Sequence, residues 1–247
     1  MTSDQEFDLE QVRKDLAPSG TLRCALNHGN IVLVRRGEAD GNPSGITVEL
    51  AHELGRRLGL PVHFRHYDKA EAVSDGAGLD EWDICFLAVD PKRAEKIAFS
   101  DPYVLIEGAF LVRKDSPAKT PDDVDRQQVK IGAVRGSAYE LHLSRTGKGG
   151  RLTRFLSLGE AIAALGRGDI DGLAGVRQAM QRVANSHSDF QLMPEAFMTI
   201  QQAVGVSARK QTAARYVRAF VKEMKASGFV KEALARNGHA GVVVPPA

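Results

Sequence analysis

The chain has 247 residues, 43% of them hydrophobic, which is enough for one large domain or for two compact lobes that each have a core. Its 33 basic and 31 acidic residues nearly balance, so the charge gives no reason to expect nucleic acid or an anionic membrane as the main partner. No stretch approaches the roughly 18 consecutive apolar residues that a membrane-spanning helix needs, so we expect no membrane insertion.

Residues 1–19 form a polar leader that contains one short predicted helix, residues 9–16. Acidic residues occur early in this leader and no apolar segment follows them, so its composition is not that of a signal peptide. The sequence as written therefore predicts a cytoplasmic protein, or the processed form of an exported one.

A strand–helix–strand pattern follows the leader. Residues 22–26 form a short apolar run, residues 46–58 place apolar side chains on one helical face before Gly59, and residues 60–64 form a second strand. This order implies a parallel strand pair within an open α/β sheet. Residues 82–89 are almost all apolar, as expected of a strand whose sheet is covered by helices on both faces.

Two extended segments, residues 104–112 and 200–206, interrupt this pattern, and a second set of α/β elements lies between them. We interpret these segments as two crossings between two lobes, each built on an open α/β sheet. The predicted organisation is a leader at 1–19, a discontinuous first lobe at 20–108 and 205–247, and a second lobe at 109–204. Further elements are predicted at 121–124, 129–134, 135–141, 158–165, 170–176, 178–183, 190–193, 211–228 and 229–235.

The chain shows no constellation typical of a metal site or of nucleophilic catalysis. Cys24 and Cys85 both lie inside apolar strand-like runs, which favours two buried, reduced thiols. His63 and His66 stand three residues apart with no further ligand nearby in sequence, so we interpret them as surface histidines. We expect no metal and no cofactor.

The segment from Asp83 to Tyr103 resembles the signature of the bacterial amino-acid-type solute-binding proteins, solute-binding protein family 3. Its members commonly show Thr-x-x-Arg before a hydrophobic-Phe-Ser-x-Pro-Tyr run. Here residues 90–94 and 97–103 occupy those positions. Residues that resemble other family segments, in the same order, stand at 20–23, 45–60, 131–137 and 168–172.

The resemblance implies a two-lobed Venus-flytrap fold, the periplasmic binding protein-like type II fold, which closes on a ligand held between its lobes. Most members are exported and deliver polar amino acids to an ABC importer. We therefore expect a monomeric solute-binding protein whose partners are a small carboxylate-bearing ligand, an amino acid or an organic acid, and an ABC transporter permease.

By its position in the motif, Arg93 is the residue that the resemblance assigns to the ligand's carboxylate. A planar guanidinium can hold a carboxylate with two parallel hydrogen bonds. Ser137 precedes a predicted helix, whose free N–H groups suit an anion, although Ser137 could equally act only as the cap of that helix. Asn27 and Asn30 follow the first strand, where open α/β sheets bind ligands, and a turn role explains them equally well.

Several positions depart from the family pattern. Asp90 stands where the family has Thr. Val176, followed by Arg177 and Gln178, stands where amino-acid binders carry a carboxylate for the ligand's ammonium. An ammonium buried there without a partner would be costly. Either Glu107 or Asp90 supplies the missing negative charge, or the ligand lacks an amino group and Arg177 meets a second anionic group. The sequence leaves both alternatives open.

Two other functions compete with a binding protein. The first is a clamshell enzyme of the cyclohexadienyl or arogenate dehydratase type, for which Glu107 is the one acid that we would nominate. The second is a detached sensory ligand-binding domain. We expect a protein that is not an enzyme, because no catalytic constellation is visible.

Overall fold

The fold of this chain is given by a computed structural model, which describes residues 7–37, 41–148 and 150–247. It divides into two compact units, the first made of Met1–Leu105 with Gln201–Ala247 and the second of Ile106–Ile200. None of the helices in the described ranges has the length and apolar character required to cross a bilayer.

Ten α-helices and nine strands are assigned over the described residues. The helices are α1 Leu9–Leu16, α2 Ile46–Leu58, α3 Ala70–Asp75, α4 Pro91–Ala94, α5 Pro121–Arg126, α6 Ala138–Thr146, α7 Leu158–Arg167, α8 Arg177–Ser186, α9 Gln211–Ala226 and α10 Phe229–Arg236. The strands are β1 Leu22–Asn27, β2 Val62–Tyr67, β3 Ile84–Ala88, β4 Ile97–Phe99, β5 Val104–Arg113, β6 Lys130–Val134, β7 Arg151–Phe155, β8 Gly172–Val176 and β9 Phe190–Ser207.

The sheet of the first unit is mixed. Strand β1 lies between β2 and β3 and is parallel to both. Strand β3 also pairs antiparallel with the end of β9, where Ile84 lies opposite Val206 and Ala88 lies opposite Gln202. Because β1 and β3 are parallel, the segments that follow Asn27 and Ala88 begin at the same edge of the sheet.

The sheet of the second unit has the order β5-β8-β6-β7. Strand β5 is antiparallel to β8, with Gly108 opposite Val176, whereas β6 is parallel to β8 and to the edge strand β7. Two clusters of buried apolar side chains, which include Phe110 and Leu173 respectively, form the core of this unit. This register brings Glu107, the residue before Gly108, next to Arg177, the residue after Val176.

Most predicted elements occur within a few residues of their expected places, and three were missed. The helix Leu9–Leu16 has the predicted bounds, and Gly59 ends α2 in the left-handed conformation. The edge strand β7 was missed because its residues are largely exposed and polar, and α3 and β4 are too short to give a periodic pattern. Residues 190–207 form one strand rather than two, although Pro194 and Glu195 interrupt the apolar run.

Asp83 is a fully buried carboxylate that joins separate parts of the first unit. It accepts hydrogen bonds from the backbone N–H of Arg23 at 2.9 Å, from Arg23 Nε at 3.0 Å and from Lys210 Nζ at 3.1 Å. Lys210 also donates to the carbonyl oxygen of Leu16 at 2.7 Å. The hydrogen bonds that the Arg23 side chain donates to Asp83 are the main reason why the pKa of Arg23 is raised. This ionic cluster fastens α1 and the start of α9 to the sheet.

Gly45 is the N-cap of α2, and its backbone (φ 125°, ψ 169°) is a conformation that only glycine adopts readily. A Cβ added there would lie 2.3 Å from the carbonyl oxygen of Leu33. We expect Gly45→Ala to lower the free energy of unfolding by about 1–3 kcal/mol, measured by urea denaturation. The control is Gly41→Ala, because Gly41 also has a positive φ but has open space around it. Equal losses for the two variants would contradict the steric explanation.

Candidate functional site

Arg93 lies in the short helix α4, directly after the carboxyl end of β3. Asp90 begins this helix as its N-cap and accepts from the backbone N–H of Lys92 at 2.9 Å. Pro91 takes the first helical position, where proline is favoured. The side chain of Arg93 is buried, with 3% of its surface exposed, and its Nη1 donates to the carbonyl oxygen of Ala88 at 2.9 Å. The guanidinium is thus fixed against the end of the strand.

Burial lowers the pKa of Arg93, and the nearby negative charge of Asp90 opposes that effect. An arginine side chain in a protein stays protonated at neutral pH even so. The site therefore contains a desolvated positive charge. Asp90 caps α4 through its Oδ1, and its negative charge acts on Arg93.

Ser137 is the N-cap of α6, and its Oγ accepts from the backbone N–H of Glu140 at 3.2 Å. Gly136 before it has a positive φ of 71°, which turns the chain sharply between β6 and α6. The capping role considered from the sequence is therefore present. It does not compete with anion binding, because the first N–H groups of a helix have no partner within the helix.

Asn27 and Asn30 both stabilise the loop that follows β1. The Oδ1 of Asn27 accepts from the backbone N–H of Gly29 at 3.1 Å, and that of Asn30 accepts from Val32 at 3.3 Å. This is the turn role that asparagine commonly plays.

Glu107 and Arg177, which the sequence treated as alternatives, form an ion pair with each other. Arg177 also donates to the carbonyl oxygens of Met193 at 3.3 Å and Pro194 at 2.9 Å. Three of its N–H donors are thus committed to protein acceptors, which argues against Arg177 as the receptor for a second anionic group of the ligand. Glu107 uses its Oε2 for the pair and is 53% exposed.

Gln178, in the first turn of α8, has a buried amide oxygen, Oε1, that accepts no hydrogen bond in the described part of the chain. A buried acceptor without a donor costs about 1–3 kcal/mol. The sequence predicted Gln178 as a ligand-binding residue by its position after Val176. It could not indicate the buried oxygen, because the burial of one atom depends on the tertiary structure. Its unsatisfied oxygen can accept from an N–H group.

The sequence interpretation missed a pair of histidines at the carboxyl ends of β1 and β2. His28 Nε2 lies 2.8 Å from His66 Nδ1, so one ring must donate a proton and the other accept it. Burial, together with the positive charge of Arg36, lowers the pKa of His28 to about 4. Both features indicate that His28 is neutral at pH 7. His66 is exposed, as expected, but it contacts His28 rather than standing alone.

Cys24 and Cys85 are free and buried, as predicted, and burial raises the pKa of both thiols. Within residues 7–37, 41–148 and 150–247, no cluster of three or more His, Cys, Asp or Glu side chains has a geometry that could hold a metal ion.

Residues 29–239 match the family model described as "Bacterial extracellular solute-binding proteins, family 3". The match covers most of the chain, so the protein belongs to this family, as the motif around Arg93 indicated.

Three relatives illustrate the match. The L-cystine-binding protein TcyJ of Escherichia coli strain K12 is 24% identical over 228 residues, which are 87% of this chain and 85% of TcyJ. The glutamine-binding protein GlnH of Bacillus subtilis strain 168 is 23% identical over 59% of this chain, and the match spans about half of GlnH, 53%. The crystal structure of the cysteine-binding protein from Campylobacter jejuni has a TM-score of 0.77 at 17% identity, covering 96% of this chain and 99% of that one.

These similarities confirm the predicted α/β fold of the periplasmic binding protein-like type II class. The relatives are solute-binding proteins, which confirms the prediction of a binding protein rather than an enzyme.

Proposed function

We propose that this protein binds one small carboxylate-bearing ligand, an amino acid or organic acid, with Arg93 holding the carboxylate. The observation that carries the proposal is the buried guanidinium at the end of β3. A charge that is already desolvated by the protein gains more from an anionic partner than an exposed charge does. A charge-assisted hydrogen bond contributes about 1.5–3 kcal/mol.

Ser137, in the second unit, is a further proposed ligand-binding residue. Its hydroxyl and the first backbone N–H groups of α6 together offer donors to an anion, and the positive end of the helix dipole favours negative charge. Asn27 and Asn30 are proposed to shape the loop beside the ligand rather than to provide most of the binding energy.

An amino acid is the ligand class that fits these residues better than a dicarboxylate or a keto acid. Gln178 presents an unsatisfied acceptor, whereas the donors of Arg177 are directed at Glu107 and at two backbone carbonyls. Both observations favour a group that donates hydrogen bonds over a second anionic group. The names of relatives, which bind glutamine, arginine and cystine, point the same way.

We expect Gln178→Leu to weaken the binding of an α-amino acid at least tenfold and that of its deaminated analogue less than twofold. The amino acid loses a charge-assisted hydrogen bond, and the analogue has no N–H donor at that position. Calorimetric titration of both compounds provides the measurement. The control is Gln181→Leu, since Gln181 is exposed on the same helix and bonds to Asn185. Equal losses for amino acid and analogue would remove Gln178 from this role.

The direct test of the proposed function is native mass spectrometry of the purified protein, followed by a thermal-shift screen of amino acids and organic acids. A bound or stabilising carboxylate that is lost in an Arg93 variant is the expected result. Stabilisation by uncharged solutes alone would overturn the proposal.

We also propose a role as the substrate-binding component of an ABC-type importer, which the name of one relative supports. The glutamine-binding relative is named as an ABC transporter protein.

A further inference from the structure

A buried carboxylate lies directly behind the turn that carries Ser137. Glu140 is only 4% exposed and receives three hydrogen bonds through its side chain. Its Oε2 accepts from the backbone N–H of Gly136 at 3.1 Å, and its Oε1 accepts from Ser144 Oγ at 2.7 Å and from Arg154 Nε at 2.8 Å. Arg154 also donates to Ser144 Oγ at 2.7 Å, which closes a small network.

The network keeps Glu140 ionised although it is buried. Desolvation opposes ionisation, but the hydrogen bonds from Ser144, Gly136 and Arg154 together lower the pKa of Glu140 below its usual value. Arg154 comes from the edge strand β7 and supplies the compensating positive charge. A buried charge persists only where such partners are present, so the ionised Glu140 depends on this network.

Glu140 therefore forms hydrogen bonds both to Ser137 and to the residue before it. Its own backbone N–H donates to Ser137 Oγ, and its carboxylate holds the N–H of Gly136, the residue before Ser137. In the usual capping box the third helical residue reaches back to the N-cap residue itself. Here it reaches one residue further back and fixes the left-handed Gly136 as well.

We propose that Glu140 and Arg154 are positioning residues for the ligand: they hold the Gly136–Ser137 turn so that the Ser137 hydroxyl and the first N–H groups of α6 keep one orientation toward the bound anion. This inference rests on the proposed function, because it assigns Ser137 a ligand. It goes beyond that function by making affinity depend on two residues that need not touch the ligand. A donor group held in place before binding costs less conformational entropy when the ligand arrives.

The experiment compares Glu140→Gln and Arg154→Gln with Arg167→Gln. Arg167 is the matched control, because it forms an exposed ion pair with Asp169 in the same unit. Two quantities are measured: the hydrogen-exchange rate of the Gly136 amide by NMR, and the dissociation constants for L-arginine, L-glutamine, L-glutamate and L-cystine by calorimetry. We expect Glu140→Gln to speed exchange at Gly136 at least tenfold and to weaken binding at least fivefold, with the control unchanged.

A double variant separates positioning from general stability. If Glu140 acts through Ser137, Glu140→Gln combined with Ser137→Ala should bind no more weakly than the worse of the two single variants. Additive losses, or unchanged affinity with only a lower melting temperature, would overturn the proposal. If the wild type binds none of the four amino acids, the proposed amino-acid class is wrong. The exchange measurement still tests the positioning role in that case, because unchanged exchange at Gly136 in the Glu140→Gln variant would refute it.

Discussion

Replacing Asp83 with alanine should lower the free energy of unfolding by about 3–5 kcal/mol, because it leaves Arg23 and Lys210 without their shared buried partner. The side chain of Asp83 is 0% exposed, and those of Arg23 and Lys210 are 19% and 16% exposed. Neither cation can recover full hydration without moving away from the sheet. The loss should appear as a lower midpoint in urea denaturation followed by circular dichroism.

Asp80→Ala is the matched control for this prediction. Asp80 also pairs with Arg23, at 2.8 Å, but its side chain is 75% exposed. Exposed pairs of this kind contribute about 0–1 kcal/mol, so the control should unfold close to the wild type. A loss for Asp83→Ala as small as that for Asp80→Ala would show that the cluster is not a major source of stability.

The second large effect is expected on binding. Arg93→Ala removes the proposed carboxylate partner and, at about 1.5–3 kcal/mol for each of two charge-assisted hydrogen bonds, should weaken ligand binding at least a hundredfold. The variant should also melt at a lower temperature, because Arg93 is buried and bonded to the Ala88 carbonyl. Calorimetric titration with the ligand found by the screen is the measurement.

Arg93→Lys distinguishes lost binding from lost folding. Lysine keeps the positive charge but cannot form two parallel hydrogen bonds, so we expect an intermediate loss of affinity in a well-folded protein. Lys92→Ala, which alters the exposed neighbouring residue, should bind normally. Wild-type affinity in a folded Arg93→Lys variant would contradict the bidentate role.

Local features of this fold were predictable, because they depend on residues close together in sequence. The Asp90-Pro91 start of α4, the Thr120 cap of α5 and the Gly59 end of α2 all need only a few neighbouring residues. The family was also predictable, since its motifs occur in a fixed order along the chain.

Features that depend on distant residues were not predictable. The Glu107–Arg177 pair arises because Gly108 and Val176 are opposite each other in the sheet, and no local pattern encodes that register. The cluster at Asp83 collects Arg23 and Lys210 from opposite ends of the chain. Glu140 was an ordinary helix residue in the sequence, because its burial depends on Arg154 from the following strand.

The pairing of β3 with the end of β9 has a consequence for how the chain folds as it is synthesised. Ile84 cannot meet Val206 until more than a hundred intervening residues have been made, whereas every residue of the second unit is available once Ile200 has been added. Closing so long a loop is slow, so the second unit can complete its sheet first. Until then β3 has an unpaired edge, and an unpaired edge of apolar residues is a place where newly made chains can associate.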